Sequence, residues 1–132
     1  MKNSSSGFMD ITPAIPEGRQ VISAYGDGRF RISGTVWEQP VLVFPTRTIP
    51  WEVSTLSDVT EDSLAAVFSA DPAVEVLLLS TGLKMALPPP ALRQALQARG
   101  LAFDVMDTGA ACRTYNVLVA EDRRVAVALL PV

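Results

Sequence analysis

The sequence predicts one domain of mixed α/β type, with an antiparallel β layer from the first half and a partly parallel sheet with helices from the second. Three observations predict it. Short strand-like runs separated by turn residues fill residues 21–44, and apolar runs alternate with capped helical segments from residue 57 onward. A length of 132 residues with 48% hydrophobic composition suffices for one core without disulfide or metal staples.

Residues 1–16 combine serines, a glycine and two prolines with little periodic apolar pattern. They read as a flexible N-terminal arm ahead of a globular domain over residues 17–132, with Phe8, Met9 and Ile11 able to pin it down. Val21-Ile22-Ser23-Ala24-Tyr25 is strand-like and is followed by a Gly26-Asp27-Gly28 turn. In Arg29–Ile32, Phe30 and Ile32 share one face while the arginines share the other, the alternation of a half-buried strand. After Ser33-Gly34, the runs Thr35-Val36-Trp37 and Val41-Leu42-Val43-Phe44 extend an antiparallel meander around the Glu38-Gln39-Pro40 turn. Pro45 and Pro50 bracket a connection into a further strand at Trp51-Glu52-Val53.

The pattern then turns helical. Ser57, Asp58, Thr60 and Asp62 supply N-cap and first-turn residues for a helix carrying Leu64, Val67 and Phe68. Val74-Glu75-Val76-Leu77-Leu78-Leu79 is almost continuously apolar, as expected of a strand covered on both faces. Pro88-Pro89-Pro90 opens a second helix that Gly100 stops, and Phe103-Asp104-Val105-Met106 is a strand. Asp107 and Thr108 cap a third helix through Asn116, and residues 125–130 form the last strand. Strand, helix, strand, helix, strand implies a partly parallel sheet with packed helices.

Composition excludes several functions. Eleven Lys and Arg against fourteen Asp and Glu, a net charge of −3, leave no clustered cations for general nucleic-acid binding. With no histidine and one cysteine, Cys112, the chain cannot build a Ser-His-Asp or Cys-His centre, an internal disulfide or a Cys-rich zinc site. No apolar run approaches the roughly 20 residues of a membrane span. The first seven residues lack the apolar core of a secretory signal and the arginines of a transit peptide, so a cytoplasmic location is expected.

Two segments could carry chemistry. Ser80, Thr81 and Gly82, with Lys84 adding charge, form a small-residue turn at the carboxyl end of a central strand, where open α/β sheets bind ligands. The glycine spacing of a phosphate-binding loop is missing, and an ordinary strand-ending turn is the plainer reading. The second segment holds Asp107, Thr108, Cys112, Arg113 and Asn116 at a helix start. Cys112 is either a nucleophile near that start or a small residue buried for packing, and the second reading carries more weight. Arg113 is expected to pair with Asp107 or another carboxylate.

The same segment carries a resemblance. Met106-Asp107-Thr108, then Ala110-Ala111-Cys112-Arg113-Thr114-Tyr115-Asn116-Val117-Leu118, resembles the signature of the domain of unknown function 498 family, which includes the mitochondrial complex I assembly factor 3 proteins. Supporting residues run from Gly28, Phe30, Ile32 and Gly34 through Trp51, Gly82 and Pro88 to Pro131. One departure is Ser80, which stands where a Gly-x-Gly turn would have its first glycine. The resemblance implies a three-layer domain, in which an antiparallel layer packs on a mixed sheet with helices on its other face. It further implies an interaction or assembly module with no established enzyme activity and no cofactor. Respiratory-complex or membrane-assembly proteins are the implied partners, with a peripheral place at the inner membrane. A small-ligand or anion site in the crevice between the 80–82 turn and the 107–116 segment is the alternative. An exposed edge of the antiparallel layer would let a second copy pair, so monomer and homodimer both stand open.

Overall fold

The computed structural model describes residues 8–10, 15 and 17–132. Four strands, β1 (Met9–Asp10), β2 (Ile22–Gly26), β3 (Arg29–Ile32) and β4 (Thr35–Trp37), form an antiparallel sheet in sequence order. Its hairpins are two-residue turns. Asp27 and Gly28 have φ of 56° and 74°, and Ser33 and Gly34 have 47° and 85°, the doubly positive pattern whose twist matches that of paired strands.

The second sheet has five strands in the order β6-β5-β9-β7-β8. Its members are β5 (Val41–Phe44), β6 (Arg47–Pro50), β7 (Val76–Ser80), β8 (Ala102–Met106) and β9 (Val125–Leu129). The parallel part is β9-β7-β8, and β5 joins β9 antiparallel. The helices are α1 (Ala65–Phe68), α2 (Pro90–Ala98) and α3 (Thr108–Ala120).

Both faces of this sheet are covered. Leu42, Phe44, Leu77, Leu79, Ala126 and Ala128 face one way, against Leu64 and Val67 before and within α1 and Leu92 and Leu96 of α2. Val41, Val43, Leu78, Val127 and Leu129 face the other way, against Ile22, Phe30 and Ile32 of the antiparallel sheet and Ala111, Cys112, Tyr115 and Val119 of α3. Double coverage explains why β5, β7 and β9 read as apolar runs rather than alternations.

The three-layer expectation holds, with one refinement. α1 and α2 occupy the far face, whereas α3 shares the face of the antiparallel sheet. The step from β7 to β8 and the step from β8 back across β7 to β9 run in opposite directions along the sheet. Two crossovers of the same, right-handed sense then place their helices on opposite faces.

Three local expectations are corrected. β5 does not continue the first meander but enters the central sheet, because its four buried residues need cover on both sides. The strand after Phe44 is Arg47–Pro50 rather than Trp51-Glu52-Val53, and Pro50 is tolerated because β6 is an edge. Trp51 and Val53 are buried without sheet pairing, the indole N–H donating to the Ser63 carbonyl at 2.9 Å. The helix expected after Ser57 is broken into two 3-10 turns, Leu56–Asp58 and Asp62–Leu64, before the four-residue α1. Thr60 and Ser63 bond each other's backbone N–H groups at 3.0 and 3.2 Å, which satisfies these groups locally and interrupts the helix. The arm expected over residues 1–16 lies mostly outside the described residues. Within it, Phe8 is 6% exposed, and Met9 and Asp10 pair with Tyr25 and Ala24 of β2. Among the described residues no helix is long and apolar enough to cross a membrane.

Candidate functional site

The carboxyl ends of the parallel strands β7, β8 and β9 bring Ser80, Met106 and Leu130 together, and the polar groups there are spent on one another. The buried Ser80 hydroxyl accepts the Leu130 N–H at 2.7 Å. Thr108, also buried, donates its hydroxyl to the Leu130 carbonyl at 2.7 Å and accepts the Gly82 N–H at 3.2 Å. Its own N–H reaches the Gly82 carbonyl at 2.9 Å, and the Thr81 N–H reaches the Met106 carbonyl at 2.9 Å. Gly82, at φ 109°, supplies a backbone conformation that side-chain-bearing residues rarely adopt. The two segments singled out in the sequence are therefore stitched directly together, and the Thr81, Gly82 and Thr108 N–H groups that could have met an anion are occupied.

The start of α3 is capped from within the chain. Asp107 is the N-cap, its Oδ1 accepting the Ala110 N–H at 2.8 Å. Cys112 is fully buried against the central sheet, and burial pushes its thiol far above the ordinary range against the opposing charge of Arg113. It has neither the exposure nor the thiolate character of a nucleophile. Asn116 turns its amide toward β2, where Nδ2 donates to the Ile22 carbonyl at 2.8 Å and Oδ1 accepts the Ile22 N–H at 3.1 Å. Arg113 is exposed and donates to the Tyr25 hydroxyl at 2.8 Å, in place of the carboxylate the sequence suggested. Gly109 lies beneath that pair: a Cβ there would stand 2.7 Å from the Tyr25 hydroxyl.

Of the nine candidate residues, Ser80, Thr81, Gly82, Asp107 and Thr108 thus meet at one end of the sheet. Cys112 and Asn116 belong to the interior, and the Lys84 and Arg113 side chains stand exposed. Sequence reasoning missed the buried Tyr115, whose hydroxyl lies 2.9 Å from the Gln20 carbonyl and 3.2 Å from that of Phe44. It also missed Leu83, Met85 and Leu87, all strongly exposed beside Lys84. Their alternation with Lys84 and Ala86 in a stretch with no helical cap was the available signal.

At the opposite end of the sheet a cavity of about 360 Å³ is lined by Arg19, Arg47, Arg123 and Arg124. Most of this charge is engaged: Arg19 pairs with Asp122 at 2.7 Å, Arg123 with Glu75 at 3.3 Å, and Arg124 donates to the Ala73 carbonyl at 2.8 Å. The Arg124 N–H and the Arg123 guanidinium in turn hold the Glu75 carboxyl below its ordinary range.

The family described as "Protein of unknown function (DUF498/DUF598)" matches residues 22–130, which takes in every strand but β1, the seam at the strand ends and all of α3. The chain belongs to this family. It is 36% identical over 111 residues to NADH dehydrogenase [ubiquinone] 1 alpha subcomplex assembly factor 3 of Danio rerio. That match covers 84% of this chain and 64% of the zebrafish protein, so the chain spans under two thirds of that relative's length. An uncharacterised protein of Rhodobacter capsulatus is 38% identical over 114 residues, covering 86% of each chain. The crystal structure of a Bordetella parapertussis protein superposes with a TM-score of 0.79 at 37% identity, covering 89% of this chain and all of that one. The DUF498/DUF598 resemblance read from the signature segment and the three-layer fold are both shown.

Proposed function

We propose that this chain is a non-enzymatic assembly module, acting on respiratory complex I or another membrane complex by binding protein partners. The observation that carries the reading is the likeness to the zebrafish assembly factor across most of this chain. The chemistry at the strand ends supports it. Ser80, Thr108 and Asp107 hold backbone groups of the protein itself, and the thiol is buried. What faces outward near that seam is Arg113, Lys84 and the rest of the 83–87 loop, with Ser80 and Thr108 as the scaffold beneath. The proposed location is the cytoplasmic side of the inner membrane, held there peripherally through the partner, with no cofactor required.

The test is recovery of a tagged copy from its own host in gentle detergent, with crosslinking and mass spectrometry. Respiratory-complex subunits or one consistent membrane-assembly partner at stoichiometric yield is the expected result, and Arg113→Glu should weaken that recovery without lowering the melting temperature. A wild-type protein that returns alone, or with no membrane-complex component, overturns the reading.

A further inference from the structure

We propose that the 83–90 loop and the adjoining side of α2 form a docking groove for a short, acidic, amphipathic segment of another protein. The inference rests on the assembly reading and names the surface and the kind of partner it implies.

Leu83, Met85 and Leu87 are 79%, 57% and 74% exposed, three large apolar side chains in five residues. Scattered apolar residues on a surface need no explanation, but a run of them that leads into a concavity marks a contact site, and here Leu87 lines the concavity while Leu83 and Met85 precede it on the same loop. The concavity is present: a shallow groove of about 840 Å³ is lined by Leu56, Leu87, Pro88, Pro90, Arg93 and Gln97, among others. The loop is also held in shape before any partner arrives. The Thr81 hydroxyl donates to the Lys84 carbonyl at 2.7 Å and accepts the Ala86 N–H at 3.1 Å, so little ordering entropy is left to lose on docking.

Charge selects the occupant. Residues 76–103 contain Lys84, Arg93 and Arg99 and no Asp or Glu, a local net charge of +3 in a chain of −3. The rest of the protein therefore carries −6, so the positive charge lies on the loop and α2 side of the groove, while Leu56 and Ser57 on its other side adjoin Asp58. Arg99 is neutralised by Glu61 at 2.5 Å, whereas neither Lys84 nor Arg93 has a carboxylate at ion-pair distance among the described residues. A second copy presenting the same face would set these cations against their own kind, which disfavours self-pairing. The chain's own first seven residues hold a lysine and no carboxylate, so they lack the complementary charge. A groove lined by Leu56, Leu87 and three prolines together with Gln94 and Gln97 suits an amphipathic helix, which fills the groove with apolar side chains and meets the rim with carboxylates.

The experiment displays overlapping peptides from the host's proteins and selects them on the full-length chain. In parallel they are selected on Leu83→Asp/Leu87→Asp, on Lys84→Glu/Arg93→Glu, and on Val36→Asp in β4 as a control. All altered side chains are at least partly exposed, and equal melting temperatures verify that the variants fold. Enrichment of acidic peptides with apolar residues at helical spacing is expected, weakened about tenfold or more by either double variant and unchanged by Val36→Asp. No enrichment, or binding indifferent to Leu83→Asp/Leu87→Asp, overturns the groove. Binding sensitive to the leucines but indifferent to Lys84→Glu/Arg93→Glu overturns the acidic partner. Leu83-dependent sedimentation with phosphatidylglycerol vesicles, in the absence of peptide binding, would assign the loop to a lipid surface, and a Leu83-dependent dimer in light scattering would assign it to a second copy. If Leu83→Asp/Leu87→Asp recovers respiratory partners as well as wild type does, the groove fails while the assembly reading stands. If wild type recovers none, the assembly reading fails and the peptide selection still decides the groove.

Discussion

The side-chain amide of Asn116 pairs with the backbone of Ile22 as a neighbouring strand would, giving one hydrogen to the carbonyl at 2.8 Å and taking one from the N–H at 3.1 Å. The contact spans 94 residues and falls where the β2–β3 register shifts, between Ile22 and Ala24. Ile22 stands opposite Ile32 of β3, β1 pairs only with Tyr25 and Ala24, and Asn116 supplies from α3 the partners for the Ile22 backbone groups. It thereby ties the helix to the antiparallel sheet.

Removing that amide should be costly. Asn116→Ala leaves a buried N–H and a buried carbonyl unpaired, and a loss of about 2–4 kcal/mol in urea unfolding is expected. Asn116→Asp can still accept from the Ile22 N–H but, when ionised, cannot donate to the carbonyl. Its stability should therefore rise as pH falls through the carboxyl's elevated folded-state pKa. A pH-independent deficit would show that the Nδ2 bond is unimportant.

The seam at the strand ends makes a second prediction. Thr108→Val preserves shape but removes the donor to the Leu130 carbonyl and the acceptor for the Gly82 N–H, with an expected cost of about 2 kcal/mol. Ser80→Gly, the residue the family resemblance led one to expect, removes the acceptor for the Leu130 N–H and should also destabilise. Equal stability of Ser80→Gly and wild type by thermal melting would mean that water replaces the hydroxyl.

Alkaline pH should unfold this protein through two buried acids. Burial raises the pKa of both Cys112 and Tyr115, with Arg113 and Arg19 respectively opposing. In the unfolded chain the thiol ionises near about 8.5 and the phenol near about 10. The native state thus holds more protons above those values, so stability is intact below the unfolded-state pKa values and is lost as pH rises beyond them. The expected slope is about 1.4 kcal/mol per pH unit above pH 9 from the thiol, steepening above pH 10 as the phenol adds its share. Cys112→Ala should abolish the first part of the slope. Fast reaction of Cys112 with a thiol reagent in the folded protein would contradict its burial.

Phe8 anchors the start of the chain. Its ring is buried, with the Arg29 and Arg31 guanidinia 4.8 and 4.7 Å from its centroid. Phe8→Ala is expected to cost about 2 kcal/mol, and deletion of residues 1–16 at least as much, since it also removes the β1–β2 pairing. An unchanged melting midpoint after deletion would make those residues passive.

What the sequence determined alone was local. Asp27-Gly28 and Ser33-Gly34 specify two-residue turns because their backbones accept positive φ, and the apolar runs at 41–44, 76–79 and 125–129 specify strands, of which the sequence marks only 76–79 as covered on both sides. Asp107 marks the beginning of α3 by its capping chemistry, and the segment after it carried the resemblance to the family that matches residues 22–130. The false strand at Trp51 and Val53 shows the limit of such signals, since alternation reports which residues are buried and not what they pair with. The tertiary structure decided the partners: that Val41–Phe44 joins β9 rather than the first sheet, that α3 lies beside the antiparallel layer, and that the candidate residues bond to one another. These contacts join groups 22 to 94 residues apart, as between Thr108 and Leu130, Ser80 and Leu130, and Asn116 and Ile22. A side chain's type sets which bonds it can make, and only the packed chain sets which groups come within reach of it.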